Sequence, residues 1–212
     1  MVRRKSVIVG MTHTKQERDW TGNHQAIFAG LAASNHSKQE REVSDYYATD
    51  PIAATLLLQV EPDLNNIWEC ACGEGHLAKV FAESKKLGKS SDLYDRGYGE
   101  VEDFLKSNKP YHDGDIVTNP PYKYAQRFVE KALERVDEGR KVCMFLKVLF
   151  LESKARKELF AKYPPKVVYV SSSRINCARN GDFETYDSCA VAYAWFVWEK
   201  GYNGKTIIEW IN

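Results

Sequence analysis

The stretch Asp115-Ile116-Val117-Thr118-Asn119-Pro120-Pro121-Tyr122 constrains the fold of this 212-residue chain more than any other. Its apolar half reads as a short buried strand. The two prolines end that strand on a rigid corner, because each ring fixes φ, removes a main-chain donor and holds the preceding residue extended. Around this corner, strand-like runs alternate with helical ones. Asn66-Ile67-Trp68-Glu69-Cys70 reads as a strand, Gly73-Glu74-Gly75 as a turn, and 76–84 as a helix with Leu77, Val80 and Phe81 inward. Residues 90–94 and 115–118 read as short strands, 124–137 as an amphipathic helix stopped by Gly139, and 141–148 as a buried strand. A helix over 154–163 ends at Pro164-Pro165, and 167–170 is a strand. Upstream, Thr49 or Asp50 caps a helix with Pro51 at its first position. At the other end, 189–198, a turn at Gly201-Tyr202-Asn203-Gly204, and 206–211 supply antiparallel strands. This alternation predicts an α/β fold, a mostly parallel sheet with helices on both faces. Ligands in such sheets bind at the carboxyl ends of the strands, where the glycine turn and the prolines both lie.

A chain that is 43% hydrophobic and 28% charged can bury a full core without staples. One domain is expected over 44–212, preceded by a polar, weakly periodic arm over 1–43 with an apolar island at 26–31, flexible or dependent on a partner for its order. Val7-Ile8-Val9 is too short for a signal-peptide core or a membrane span, so a cytoplasmic protein, in a bacterium or a phage-infected cell, is expected. Five irregularly spaced cysteines fit a reducing compartment. Cys70-Ala71-Cys72 lacks zinc-knuckle spacing, and no metal is expected. Net charge is +1, but residues 123–180 hold 14 Lys/Arg against 6 Asp/Glu, while 61–115 hold 7 against 12. A basic half beside an acidic half suits a polyanion on one side and a cationic ligand on the other.

The corner itself carries chemistry. The exocyclic amine of a base, or a carboxamide nitrogen, is a poor nucleophile because its lone pair is delocalised. The Asn119 side-chain carbonyl and the Pro120 main-chain carbonyl can accept its two hydrogens and turn the nitrogen towards tetrahedral geometry. Pro121 stiffens those acceptors, and Tyr122 offers a ring to a flat substrate.

Taken in order, Tyr46-Tyr47-Ala48-Thr49-Asp50-Pro51, then Trp68-Glu69-Cys70-Ala71-Cys72-Gly73-Glu74-Gly75, Asp92, Asp103-Phe104-Leu105 and Asn119-Pro120-Pro121-Tyr122 resemble the successive motifs of S-adenosylmethionine-dependent DNA adenine-N6 methyltransferases of the small phage and prophage type. The resemblance covers about 44–212 and implies a Rossmann-like, seven-stranded methyltransferase sheet, mostly parallel, with an antiparallel C-terminal strand or hairpin. It also implies S-adenosyl-L-methionine as cofactor and roles for particular residues. Tyr47 and Thr49 would face the cofactor carboxylate and Glu69 its ammonium. Cys70, where many relatives have proline, lies in the glycine loop, whose Gly73 and Gly75 let the main chain approach the ligand. Asp92, with Asp95 as rival, would accept from the ribose hydroxyls. Asp103 would accept from the adenine amine, with Phe104 against its ring. Asn119, Pro120, Pro121 and Tyr122 would form the methyl-accepting site.

Only 46 residues separate Gly73 from Asn119, which leaves no room for a recognition domain between them. Any sequence reading is expected from the loop 174–183 or from the arm. A base inside a duplex cannot reach Asn119, so the DNA partner would be single-stranded or carry a flipped-out base, with Lys123, Arg127, Arg174 and Arg179 on phosphates and Phe183 or Tyr186 opposite Tyr122. The aromatic run Tyr193, Trp195, Phe196 and Trp198 has strand spacing and reads as core. Competing substrates for the same corner are cytosine N4, RNA bases and a glutamine carboxamide of a peptide-release factor. A non-catalytic binding protein on the same fold is the reading from a different class.

Overall fold

The computed structural model describes residues 47–111, 113–179 and 191–212. In chain order the described elements are β1 (Tyr47–Thr49), α1 (Ile52–Val60), β2 (Ile67–Glu69), α2 (His76–Glu83), β3 (Leu87–Asp92), β4 (Glu100–Val101) and β5 (Ile116–Thr118). There follow a 3-10 turn (Tyr122–Tyr124), α3 (Ala125–Arg135), β6 (Lys141–Lys147), a second 3-10 turn (Val148–Leu151), α4 (Lys154–Lys162), β7 (Val167–Ser171), β8 (Cys177–Arg179), β9 (Tyr193–Glu199) and β10 (Ile207–Ile211).

Eight strands form one sheet in the order β10-β7-β9-β6-β5-β2-β3-β4. All pairings are parallel except those of β9, which runs antiparallel to both β6 and β7. Seven of these strands answer to the runs expected from sequence. The eighth is the two-residue β4, too short and too polar to announce itself. The chain does reverse at Gly201–Gly204, yet β10 does not pair with β9. With β6 on one side of it and β7 on the other, β9 has no free edge, so β10 lies beyond β7 and pairs with it in parallel.

The pleat sorts the core into two slabs. On one face Val142, Met144 and Leu146 of β6 join Ala194, Phe196 and Trp198 of β9, covered by Phe128, Val129 and Ala132 of α3 and Leu159 of α4. On the other face Cys143 and Phe145 join Tyr193, Trp195 and Val197, covered by Ala53, Ala54 and Leu57 of α1 and Leu77 and Phe81 of α2. Successive residues of a strand point to opposite faces, so continuous apolar runs are what a sheet covered on both sides requires. The aromatic run of β9 is core, as its spacing implied.

Polar links lock the amino-terminal rim. Buried Asp115 accepts from the main-chain N–H of Asn65 and of Lys141, both at 2.8 Å. The Lys141 ammonium lies 2.5 Å from Glu61 and 2.7 Å from Asp63. The opposite rim is left for other work.

A second, two-stranded sheet pairs β1 with β8 antiparallel, Tyr47 opposite Arg179 and Thr49 opposite Cys177. The sequence gives no hint of this ribbon. Each strand is three residues long, and the partners are far apart in the chain.

Candidate functional site

Asn119 follows the last residue of β5 and is half-buried. Its Nδ2 donates to the Thr49 hydroxyl oxygen at 2.7 Å and to the Tyr47 carbonyl at 3.4 Å. A main-chain carbonyl can only accept, so this pair of contacts fixes which end of the carboxamide faces the ribbon. The oxygen end points elsewhere. Asn119 Oδ1 is buried and has no hydrogen-bond partner among the described residues. Buried acceptors are seldom left open, and one held at a strand's carboxyl end is a position for a donor from outside.

Pro120 is buried and Pro121 is exposed. The Pro121 carbonyl accepts from Tyr124 N–H at 2.8 Å and opens the 3-10 turn. Tyr122 is wedged among four strands. Its ring centroid is 6.0 Å from that of Tyr47 and 5.9 Å from that of Tyr193. Its hydroxyl donates to Cys177 Sγ at 3.7 Å, and Lys147 Nζ stands 4.9 Å from the ring centre. Burial pushes the phenol well above its ordinary pKa, so it stays protonated.

The glycine turn lies at the carboxyl end of β2. Gly73 and Gly75 take φ of 54° and 80°, left-handed values that suit glycine. Gly75 has a second reason to lack a side chain: a Cβ there would stand 2.5 Å from the Tyr98 ring. Asp92, at the end of β3, accepts from Gly73 N–H at 2.9 Å and from Tyr94 N–H at 3.1 Å, with the Arg96 guanidinium 4.0 Å away. The carboxylate therefore ties the turn to the neighbouring strand. Its rival Asp95 is exposed and accepts only from Gly97 N–H, at 3.0 Å, among the described residues.

Glu69 is only 2% exposed, and its Oε2 has no partner among the described residues. Burial raises its carboxyl well above the ordinary range, Asp92 adds to the rise, and the Ala78 N–H opposes it. Two acids share this side of the rim, and one of them is left with an open oxygen.

Three of the residues named beside the cofactor have partners of their own within the protein. Phe104 is 2% exposed and belongs to the core, stacked on Phe128 at 5.1 Å with the Arg135 guanidinium 4.4 Å from its ring, so neither face is offered to a ligand. Cys70 is likewise a core residue, with a thiol that burial pushes far up. The oxygens of Asp103 serve its own turn: Oδ1 accepts from Leu105 and Lys106 N–H, and Oδ2 faces Lys106 Nζ at 3.1 Å.

On the basic side, Lys123 and Arg127 are exposed and flank Tyr124, their charges 5.2 and 5.9 Å from its ring centre. Arg174 is exposed just after β7. Arg179 ends β8, and Phe183 and Tyr186 lie outside the described residues. Sequence reasoning missed Lys147, Cys177 and Tyr193, which all touch Tyr122. Lys147 was findable, since it ends β6 on the same rim as Asn119. No group of three metal-ligating side chains occurs, and no helix is long and apolar enough to cross a membrane, among the described residues.

No protein-family model and no curated protein matches this sequence. Solved structures do match. A provisionally assigned RNA methyltransferase from Pyrococcus horikoshii superposes with a TM-score of 0.55 at 14% identity, over 84% of this chain and 99% of that one. A provisionally assigned class I S-adenosylmethionine-dependent methyltransferase from Listeria monocytogenes gives 0.51 at 13% identity, over 88% and 71%. The M protein of the type I restriction enzyme EcoKI gives 0.51 at 14% identity, over 76% of this chain and 45% of that one. The fold is thus one shared with methyltransferases, a mixed α/β sheet with a single antiparallel strand.

Proposed function

We propose that this protein transfers a methyl group from S-adenosyl-L-methionine to the exocyclic N6 amine of adenine in DNA. The observation that carries the reading is the Asn119 carboxamide: its NH2 end is tied to Thr49 and Tyr47, and its oxygen is buried and open. Fold neighbours described as RNA, class I and restriction-enzyme methyltransferases support it, as does the basic second half of the chain.

The residues at the acidic side of the rim fit the cofactor. The open oxygen of Glu69 would take its ammonium, the Gly73–Gly75 main chain its amino-acid and ribose portion, and Asp92 the ribose hydroxyls. Bound there, the cofactor supplies a methyl group on a positively charged sulfur. The chain's own part is orientation. Asn119 Oδ1 accepts one N–H of the target amine and the Pro120 carbonyl accepts the other, which aims the lone pair. Tyr122, held from four sides, supports the flat base, which takes the place of the flexible Lys147 ammonium over the ring. Lys123 and Arg127 meet phosphates beside the corner, and the exposed Tyr124 between them stacks on a neighbouring base.

The test is incubation of the protein with radiolabelled S-adenosylmethionine and, separately, DNA, RNA and a release-factor protein. Label recovered as N6-methyladenine from DNA supports the reading, and label confined to RNA or protein overturns it. Asn119→Ala should abolish transfer and leave cofactor affinity nearly unchanged.

A further inference from the structure

A pocket of about 210 Å³ opens at the carboxyl end of β7, lined by Ser171, Ser172, Ser173, Arg174, Ala192 and Tyr193. It adjoins the corner through one aromatic ring. Tyr193, which lines it, packs 5.9 Å from Tyr122 and pairs across the sheet with Lys147, whose ammonium lies over that same Tyr122 ring.

Hydroxyls and a guanidinium make up much of the lining, and side-chain hydrogen bonds tie down its main chain. Asn212 straps the serine turn: its Oδ1 accepts from Ser172 N–H at 2.8 Å and Ser173 N–H at 3.3 Å, while its Nδ2 donates to the hydroxyls of Ser171 at 3.0 Å and Ser173 at 2.6 Å. The Ser173 oxygen accepts in that contact, so its own hydrogen is free to turn into the pocket. The Ser172 hydroxyl and the Arg174 guanidinium have no partner among the described residues. Among the described residues, no carboxylate lines the cavity. A guanidinium beside hydroxyl donors, with no anion among the described residues to satisfy it, matches a phosphate, whose oxygens accept bidentate bonds from Arg and single bonds from serine.

We propose that this pocket is a phosphate subsite, holding a phosphodiester of the strand next to the nucleotide presented to Asn119. It rests on the reading of the corner as a nucleic-acid amine site and adds the point at which the strand is anchored. Arg174 grips the phosphate, and the Ser172 and Ser173 hydroxyls complete its shell. Lys147, one ring away, meets the phosphate on the other side of the target once the base has displaced it from Tyr122. Held at two phosphates, the sugar between them presents its base to the corner, and the enzyme gains register without touching base edges.

The experiment compares wild type, Arg174→Gln, Arg174→Lys and Lys205→Gln. Lys205 is exposed and precedes the amino end of β10, on the opposite rim. Methyl transfer to a single-stranded oligodeoxynucleotide is followed over a range of salt concentrations. Arg174→Gln should raise KM for the oligonucleotide about tenfold with kcat within about twofold. Its slope of log affinity against log salt should be shallower by about 0.7, the share of one single-strand phosphate. Arg174→Lys should keep the slope and lose only part of the affinity, and Lys205→Gln should match wild type. A scan of neutral methylphosphonate linkages should find one position beside the target that costs wild type about tenfold and costs Arg174→Gln nothing more. If wild type methylates DNA and Arg174→Gln behaves as Lys205→Gln does, the pocket is refuted and the function stands. If wild type labels no nucleic acid, both fall together.

Discussion

The Asn119 amide nitrogen sits 2.7 Å from the Thr49 hydroxyl oxygen, joining two motifs that lie 70 residues apart in the chain. This contact, rather than the prolines alone, sets which way the carboxamide faces. The prolines place the main chain, and Thr49 turns the side chain.

Thr49→Val should therefore cost turnover. It keeps the shape of the side chain and removes the acceptor, so kcat should fall about 10- to 100-fold, equivalent to roughly 1.4 to 2.7 kcal/mol of barrier. Thr49→Ser restores the oxygen and should recover most of the loss. Single-turnover assays with cofactor affinity measured alongside would separate this from a change in binding.

The Glu69 carboxyl gives a pH signature. Its folded value lies well above the 4.5 of an ordinary glutamate, with burial the leading cause. A raised acid stabilises the fold fully below the unfolded value and loses that contribution as pH climbs through the folded one. Glu69→Gln should accordingly melt no lower than wild type, with a gap in its favour that widens as pH rises above the ordinary carboxylate range. A cofactor ammonium needs the ionised form, so its affinity should move the opposite way. Wild type should bind more tightly as pH rises through that window, while Glu69→Gln binds weakly and without slope. Calorimetry across pH, with no strengthening in wild type, would remove Glu69 from the cofactor site.

Asp92→Asn should weaken cofactor binding before it touches chemistry. One of the two amides, Gly73 or Tyr94, loses its acceptor, at about 1 to 3 kcal/mol of stability, and the cofactor KM should rise about tenfold or more. Paired denaturation and kinetic measurements check both halves.

Gly75→Ala carries two separable penalties. The φ of 80° strains any side chain, and the added methyl meets Tyr98 at 2.5 Å. Together they should cost about 1 to 3 kcal/mol. Tyr98→Ala in the same chain should recover the steric share and leave the backbone share, so chemical denaturation of the double variant would show less than additive loss.

Much of the fold was legible because buried strands of a two-sided sheet are uniformly apolar and the helices between them are amphipathic. What escaped was long-range or two residues long. The β1–β8 ribbon needs partners far apart in the chain, and β4 has almost no core to betray it. The position of β10 depended on whether β9 had a free edge, which no local pattern records. At the site, strand order puts Asn119, Glu69, Gly73 and Asp92 at the carboxyl ends of neighbouring strands. Phe104 and Cys70 turn into the core, because motif order records a residue's place along the chain but not which face it takes. Tyr98, which explains Gly75, lies in a loop whose path the sequence leaves open.

Tyr122 packs against both slabs of the core at once. It acts as a keystone between the two slabs, and loosening either would slacken the corner beside it. Loss of methyl transfer on heating should thus coincide with the calorimetric melt, with no range of temperature in which an intact body outlives a failed centre.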